Sequence, residues 1–194
     1  AMITQAKQNI EALGFFSKVD FNVEPGSAPD KLTLDINVTE QSTGDYGVTA
    51  GYDSQQGILT GPDPDATMTI DKSTFTRLGT CEGSGGCAHS VYVGDYGPTK
   101  VTRSRFEAGR GGHYVKSRTA RIAVTDCSFD DSAGRGTNYM IDLPAGATGR
   151  IANNLFVQGR EKENYSAFIA VGAESRTNRS AGLTIEGNDA RLVP

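Results

Sequence analysis

Two alternating apolar segments and one helical segment organise the start of the chain. Residues 31–40 alternate strictly between apolar and polar side chains, the period of a strand with one buried face. A weaker alternation covers residues 15–24, and a turn rich in Pro and Gly at 25–30 separates the two. Before them, apolar residues recur at helical spacing across residues 3–13, and Gly14 follows as a helix C-cap. The pattern predicts helix, strand, turn, strand.

From Gly57 onward a different pattern repeats, roughly every two dozen residues. Each repeat begins with a β-branched residue and ends five positions later in an aromatic or small one. These repeats are residues 70–75, 101–106, 124–129, 151–156 and 185–190. Two positions before each end stands a small or amide residue: Ser73, Ser104, Cys127, Asn154 and Asn188. Such residues can hydrogen-bond backbone groups that a bending strand leaves unpaired.

A second column of pairs runs between these repeats. Its members are Tyr92-Val93, Tyr114-Val115, Tyr139-Met140 and Phe168-Ile169. Short strands joined by Gly-rich bends, with like residues at fixed offsets, predict a solenoid in which equivalent side chains stack. Neither the hairpin turns of a β-sandwich nor the Leu pattern of a leucine-rich repeat is present. The predicted fold class is mainly β, a parallel β-helix of about five coils.

Composition limits the functional classes. The 194 residues include 24 Gly, and no run of eighteen apolar residues exists, so no membrane-spanning helix is expected. The net charge of -4 argues against general nucleic-acid binding. Three cysteines are too few for a disulfide scaffold.

The first 52 residues resemble part of a known family. IEALGFF at residues 10–16, PGS at 25–27 and NVTEQ at 37–41 are similar to the last POTRA domain of BamA-type outer-membrane assembly proteins. Residues 43–52 resemble the start of that family's first barrel strand. The strand and helix that open a POTRA domain have no counterpart here, so the resemblance is to half a domain.

Residues 57–194 resemble the right-handed parallel β-helix superfamily that includes pectate and alginate lyases. The likeness rests on GILTG at residues 57–61 and on STF-type strand ends such as residues 73–75. We therefore expect a right-handed β-helix at 57–194 and a POTRA-like half domain at 1–56 that caps it. An open solenoid end that is not capped predicts homo-oligomers instead. The unrelated origins of the halves leave a chimera, natural or artificial, as an alternative.

The cysteines divide into a pair and a single residue. Cys81 and Cys87 enclose a Gly-rich loop, which favours a disulfide in an oxidising compartment. Zinc binding with His89 is the alternative, although a fourth ligand is missing. Cys127 belongs to the Ser/Asn column and is expected to be a buried structural thiol.

Candidate chemistry concentrates at residues 100–121, which carry seven cations against one anion. On one face they would form a basic patch for an acidic polysaccharide; the alternative is ordinary solvated strand faces. GGHYVKSR at residues 111–118 is similar to the lysine coil of alginate and chondroitin lyases. That resemblance implies Lys116 as the base that removes the proton next to a uronate carboxylate, with calcium as a candidate cofactor that neutralises the carboxylate. The family's arginine is expected near residues 140–142, where none occurs.

The second column supplies candidate binding residues. Its alignment places Asp95, Ser117 and Asp142 at one position on successive coils, and His89, His113 and Asn138 just before the column. Its aromatic members form either a platform for sugar rings or an interior stack, and the aspartates either bind ligand or bond local turn amides. The predicted substrate-binding residues are His113, Arg118, Tyr92, Tyr114, Tyr139, Asp95 and Asp142, and no metal ligand is predicted.

Three functions remain open. The first is binding of an acidic polysaccharide, as a module or a degenerate uronate lyase with a lysine base. The second is an assembly or structural role in the periplasm or at the outer membrane of a Gram-negative bacterium, as the POTRA resemblance implies. The third is a fusion with no function as a unit.

Overall fold

The computed structural model describes Lys7 and residues 16–25, 32–40, 50–53, 57–82 and 86–193. The chain divides into two units, residues 1–45 and 46–194. The predicted helix lies outside the described residues, apart from Lys7, which is helical, and so does the predicted turn, apart from Pro25.

The first unit contains a two-stranded antiparallel hairpin. Strand β1 (Phe16–Pro25) pairs with β2 (Leu32–Glu40), and Val19 lies opposite Val38. Val19 is buried, whereas Val23 remains exposed. Both strands predicted from alternation are therefore confirmed. The capping role of this segment stays a prediction.

The second unit is a parallel β-helix of five coils, preceded by β3 (Ala50–Asp53), which pairs antiparallel with β4. Each coil contributes one strand to each of three sheets. Sheet 1 contains β4 (Gly57–Thr60), β7 (Val91–Val93), β10 (Val115–Ser117), β13 (Ile141–Leu143) and β16 (Ile169–Val171). Sheet 2 contains β5 (Met68–Asp71), β8 (Thr99–Thr102), β11 (Arg121–Thr125), β14 (Thr148–Ala152) and β17 (Leu183–Glu186). Sheet 3 contains β6 (Thr74–Thr76), β9 (Arg105–Glu107), β12 (Ser128–Asp130), β15 (Leu155–Gln158) and β18 (Asp189–Leu192).

The core consists of columns that the repeat predicted. One aliphatic column in sheet 2 is Ile70, Val101, Val124, Ile151 and Ile185. The aromatic column in sheet 3 is Phe75, Phe106, Phe129 and Phe156, followed by Ala190. The Phe rings stack with centroids 4.7, 4.9 and 5.1 Å apart. Because neighbouring parallel strands are about 4.8 Å apart, like residues in register meet face to face.

The bend between sheets 2 and 3 repeats in every coil. A residue with positive φ opens it in each case: Lys72, Arg103, Asp126, Asn153 and Gly187. The next residue belongs to the small or amide column. The Ser73, Ser104, Cys127 and Asn154 amides each donate to the side chain of the equivalent residue one coil later, at 3.2, 3.5, 2.9 and 2.9 Å respectively. The column therefore satisfies backbone donors that the bend frees, as predicted.

The predicted alignment of the second column is wrong. Strand register places Lys116 opposite Tyr92 on one side and Asp142 on the other. The register pairs Lys116 with Tyr92, so Tyr114 lies two positions before that level, ahead of the first residue of β10, where its side chain is buried in the core. The inward residues Val91, Val115 and Ile141 fix this register, and matching Tyr114 to Tyr92 by identity shifted it by two residues.

The cysteines follow the prediction. Cys81 and Cys87 form a disulfide, which leaves no thiolates for the zinc alternative. Cys127 is free and buried, and burial raises the pKa of its thiol.

The last coil is less covered than the coils before it. Ile185 is 50% exposed, although Ile151 in the same column is fully buried, and Leu192 is 70% exposed. The predicted association of protomers through a solenoid end stays a prediction. Within the described residues, no helix has the length and hydrophobicity to cross a membrane.

Candidate functional site

Polar and aromatic side chains gather on the outer face of sheet 1. Strands β7, β10 and β13 turn their first and third residues inward and their middle residues outward. The middle residues are Tyr92, Lys116 and Asp142, side by side on adjacent strands. We call the set around them the sheet 1 cluster: His89, Tyr92, His113, Lys116, Arg118, Tyr139, Asp142 and Glu174.

Two cations of the cluster hold one carboxylate. Lys116 Nζ donates to Glu174 Oε1 at 2.7 Å, and Arg118 Nη2 donates to Glu174 Oε2. Arg118 Nε also donates to the Tyr92 hydroxyl at 2.9 Å. The hydrogen bond from Lys116, assisted by Arg118, lowers the pKa of Glu174, so its carboxylate is ionised at neutral pH.

Two histidines lie beside the cations. The His113 amide donates to Nδ1 of His89 at 3.0 Å, and the two rings are 4.9 Å apart. Gly112 has a φ of 62°, and a Cβ there would come within 2.5 Å of His89 Nδ1. Glycine at this position therefore permits the close approach of the two coils. On the other side, His113 stacks on Tyr139 with centroids 5.5 Å apart.

Both histidines are neutral at physiological pH. Burial, followed by the charge of Lys116, lowers the pKa of His89 to about 4. Burial, followed by His89 and Lys116, lowers the pKa of His113 to about 3. The acceptor role of His89 Nδ1 leaves Nε2 as the protonated nitrogen of that ring.

Asp142 is the most deeply buried carboxyl of the cluster. Its side chain is 4% exposed, and Oδ2 lies 3.3 Å from Lys116 Nζ and 3.4 Å from His113 Nε2. Burial raises its pKa against the attraction of Lys116. The second oxygen, Oδ1, is buried with no hydrogen-bond partner among the described residues. An unpaired buried oxygen is costly, which marks this position for a ligand or water donor.

Most of the predicted binding residues meet in this cluster. His113, Arg118, Tyr92, Tyr139 and Asp142 lie together with Lys116, as the preceding contacts show. Two do not join them.

Tyr114 and Asp95 are the two exceptions. Tyr114 points into the core, where its hydroxyl donates to Asp131 Oδ1 at 2.6 Å, so it cannot contact a sugar. Asp95 is exposed and lies after β7. The residue that pairs with Ser117 is Val93, two positions earlier. The misaligned second column accounts for both errors.

The basic segment does not form one patch. Arg103 pairs with Asp71 at the bend after sheet 2, and Arg105 pairs with Glu107 on sheet 3. Only Lys116 and Arg118 belong to the sheet 1 cluster. Alternate strand positions send charges to different faces, so the solvated-face alternative describes most of the segment.

The predicted binding residues do not include Glu174, and His89 was predicted only as a neighbour of the second column. Glu174 follows β16 in a loop, and no motif connects it to Arg118. The two residues are 56 positions apart and meet only in the folded chain.

The cluster does not fit a calcium ion. Calcium requires several oxygen ligands free of other cations. Asp142 and Glu174 are its carboxylates, and both face Lys116. No step through calcium is therefore assigned to these residues.

A second ion-pair cluster lies inside the solenoid. Lys162 Nζ contacts Asp131 Oδ2 at 2.9 Å, Thr137 Oγ1 at 3.1 Å and the Asn138 carbonyl at 2.6 Å. Asp131 accepts further hydrogen bonds from Tyr114 and Thr137. We call it the buried network. Its lysine and aspartate side chains are 1% and 0% exposed.

Comparison with known proteins gives one partial similarity. Over 58 residues, 29% of this chain, the sequence is 34% identical to the outer membrane protein assembly factor BamA of Neisseria meningitidis serogroup B. The matched part is 7% of that protein, so the chain spans a small fraction of its relative. A match of this extent fits the POTRA-like segment. No family model matches the chain, and no solved structure is significantly similar to it.

Proposed function

We propose that the sheet 1 cluster binds an acidic polysaccharide through the carboxylate of a uronate residue. The observation that carries this proposal is the convergence of Lys116 and Arg118 on one carboxylate, that of Glu174. A planar guanidinium beside an ammonium is a suitable partner for a planar carboxylate.

The surroundings of the cations support a sugar ligand. Tyr92 and Tyr139 are half-buried on the same face, with His89 and His113 between them. Aromatic faces of this kind pack against the apolar faces of sugar rings. Asp142 Oδ1, which lacks a partner, is an acceptor for a ring hydroxyl.

The geometry supports binding more than proton abstraction. A lysine acts as a general base only through a free lone pair. Lys116 Nζ instead donates to Glu174 and faces Asp142. We therefore assign Lys116 to carboxylate binding and leave the uronate lyase reaction as the less favoured function of the same site.

Polygalacturonate and alginate binding tests the proposal. Arg118→Ala is expected to weaken binding about tenfold, since one charge-assisted pair is lost. Arg150→Ala is the matched control, because Arg150 is an exposed sheet 2 residue whose ion pair with Glu186 is equally removed. Binding that is equally affected by both substitutions, or absent in the unaltered protein, contradicts the proposal. Formation of unsaturated products would restore the lyase alternative.

A second function is favoured by the partial BamA similarity. We infer that the first unit associates with β-strand segments of outer-membrane proteins, which would locate the chain in a Gram-negative envelope. An exposed strand can pair with an added strand, and Val23 on β1 is an exposed apolar contact. Val23→Asp should weaken binding of a barrel-strand peptide to the full chain, whereas Asn22→Asp, with the same charge change, should not. Equal effects would exclude this surface.

A further inference from the structure

The carboxylate of Glu174 already pairs with the two cations of the sheet 1 cluster, Lys116 and Arg118. It bridges Lys116 and Arg118 with one oxygen to each. Its side chain is 44% exposed, so the ion pairs open to solvent on one side. A ligand carboxylate that approaches Arg118 meets a position already filled.

Hydrogen bonds of its backbone hold the loop that carries Glu174 in place. The amides of Gly172 and Glu174 donate to the carbonyls of Leu143 and Pro144 at 2.8 and 3.0 Å. Asn178 Nδ2 donates to the Arg118 carbonyl at 3.0 Å. The loop therefore stays attached to coils 3 and 4 whether or not the carboxylate is in place. Only the Glu174 side chain has to rotate to release the two cations.

We propose that Glu174 is the specificity-determining residue of the site, an internal competitor that a ligand displaces only by supplying a carboxylate of its own. This inference rests on the proposed function. A uronate residue replaces the lost ion pairs with equivalent ones, whereas a neutral sugar that displaces Glu174 leaves Arg118 without a carboxylate and Lys116 with Asp142 alone. The contact thus disfavours neutral glycans and reduces the affinity for acidic ones by the strength of the internal pairs.

Glu174→Gln tests the proposal in the full chain. The variant should bind polygalacturonate about fivefold more tightly than the unaltered protein, because exposed ion pairs contribute up to about that factor. Dextran, which has no carboxylate, should bind neither protein tightly. Glu186→Gln is the matched control, since it removes the same charge from the exposed sheet 2 pair with Arg150. Glu174→Ala, which lacks an amide that could mimic the carboxylate, is a second variant.

The outcomes separate the two proposals. If the unaltered protein binds polygalacturonate and both Glu174 variants bind it equally or more weakly, Glu174 positions the cations for the ligand and the inference is overturned alone. If none of the proteins binds any polyuronate, the proposed function fails and the inference fails with it. A carbon NMR titration of the Glu174 carboxyl gives an independent readout. Bound polygalacturonate should raise the pKa of Glu174 toward its ordinary value, and an unchanged pKa contradicts displacement.

Discussion

The sheet 1 cluster and the buried network both place a lysine against carboxylates, but they differ in how fully their polar atoms are paired. In the buried network, each oxygen of Asp131 accepts at least one hydrogen bond and Lys162 Nζ has three partners. In the sheet 1 cluster, Asp142 has a buried oxygen without a partner among the described residues. Its cations hold a half-exposed carboxylate from a loop.

This difference separates a structural role from a binding role. A fully paired buried network has no donor or acceptor left for a ligand. Removing one of its charges leaves the other buried without a partner, which costs much stability. A cluster with an unpaired acceptor and an ion pair that solvent can reach loses little stability when one of its residues is substituted. Equivalent substitutions in the two clusters should therefore have very different effects on stability.

The largest effect is expected from Asp131→Asn. The substitution leaves the Lys162 ammonium buried without its counter-charge, and breaking a buried pair in this way costs about 3–5 kcal/mol. The free energy of unfolding, measured by urea titration, should fall by that amount. Lys162→Met leaves the Asp131 carboxylate without its counter-charge but still hydrogen-bonded by Tyr114 and Thr137, and it should cost less than Asp131→Asn.

Binding measurements complete that comparison. At temperatures where Asp131→Asn remains folded, its affinity for polygalacturonate should equal that of the unaltered protein. A stability loss below about 1 kcal/mol would show that the network is not maintained by the ion pair. Weakened binding in the folded variant would show that the two clusters are coupled, and the distinction between a structural and a binding cluster would fail.

An intermediate effect is expected from acid. Because the pKa values of His89 and His113 are lowered on folding, they stabilise the fold above the unfolded value of about 6.5. That stability is lost progressively as pH falls from about 6.5 to the folded values of about 4 and about 3, and the loss levels off below them. Between pH 7 and pH 5 each histidine should cost about 1–2 kcal/mol. Asp142 acts in the opposite sense, because its raised pKa lets it take a proton in the fold as pH falls.

Matched variants locate this pH dependence. His113→Phe retains an aromatic ring next to Tyr139 and should flatten the profile of unfolding temperature between pH 7 and 5. Tyr114→Phe changes the buried network, and burial raises the pKa of Tyr114 far above this range. It should therefore leave the shape of the profile unchanged. If both variants follow the unaltered profile, acid acts elsewhere in the molecule.

The fold could be predicted from sequence where side chains stack in register. Phe75, Phe106, Phe129 and Phe156 occur at constant offsets from β-branched residues, and the core requires both columns to face inward. The amide and hydroxyl column was predictable for the same reason, since each bend leaves equivalent backbone donors. Repetition thus encodes the interior of a solenoid.

The site was only partly predictable, because outer positions carry no such repetition. Tyr92 and Tyr114 differ by two positions in the strand register, and identity alone cannot show which one faces the core. Lys116, Arg118 and His113 were found through one short motif on a single coil. Glu174 comes from a later loop whose path depends on backbone hydrogen bonds to the turn after β13, and no local pattern predicts them.

The smallest effect is expected from Asp142→Asn, the same substitution as in the buried network. Burial raises the pKa of Asp142, so folding disfavours its ionised form relative to the unfolded chain. A neutral amide removes that penalty and should leave the free energy of unfolding unchanged or raised by less than about 1 kcal/mol at pH 7. Any gain should shrink as pH falls through the raised pKa, because the unaltered carboxyl then takes up a proton. Urea titrations of both proteins at pH 7 and pH 5 measure this difference. A loss near that of Asp131→Asn would mean that Asp142 is a structural counter-ion for Lys116, and that the two clusters differ in exposure but not in role.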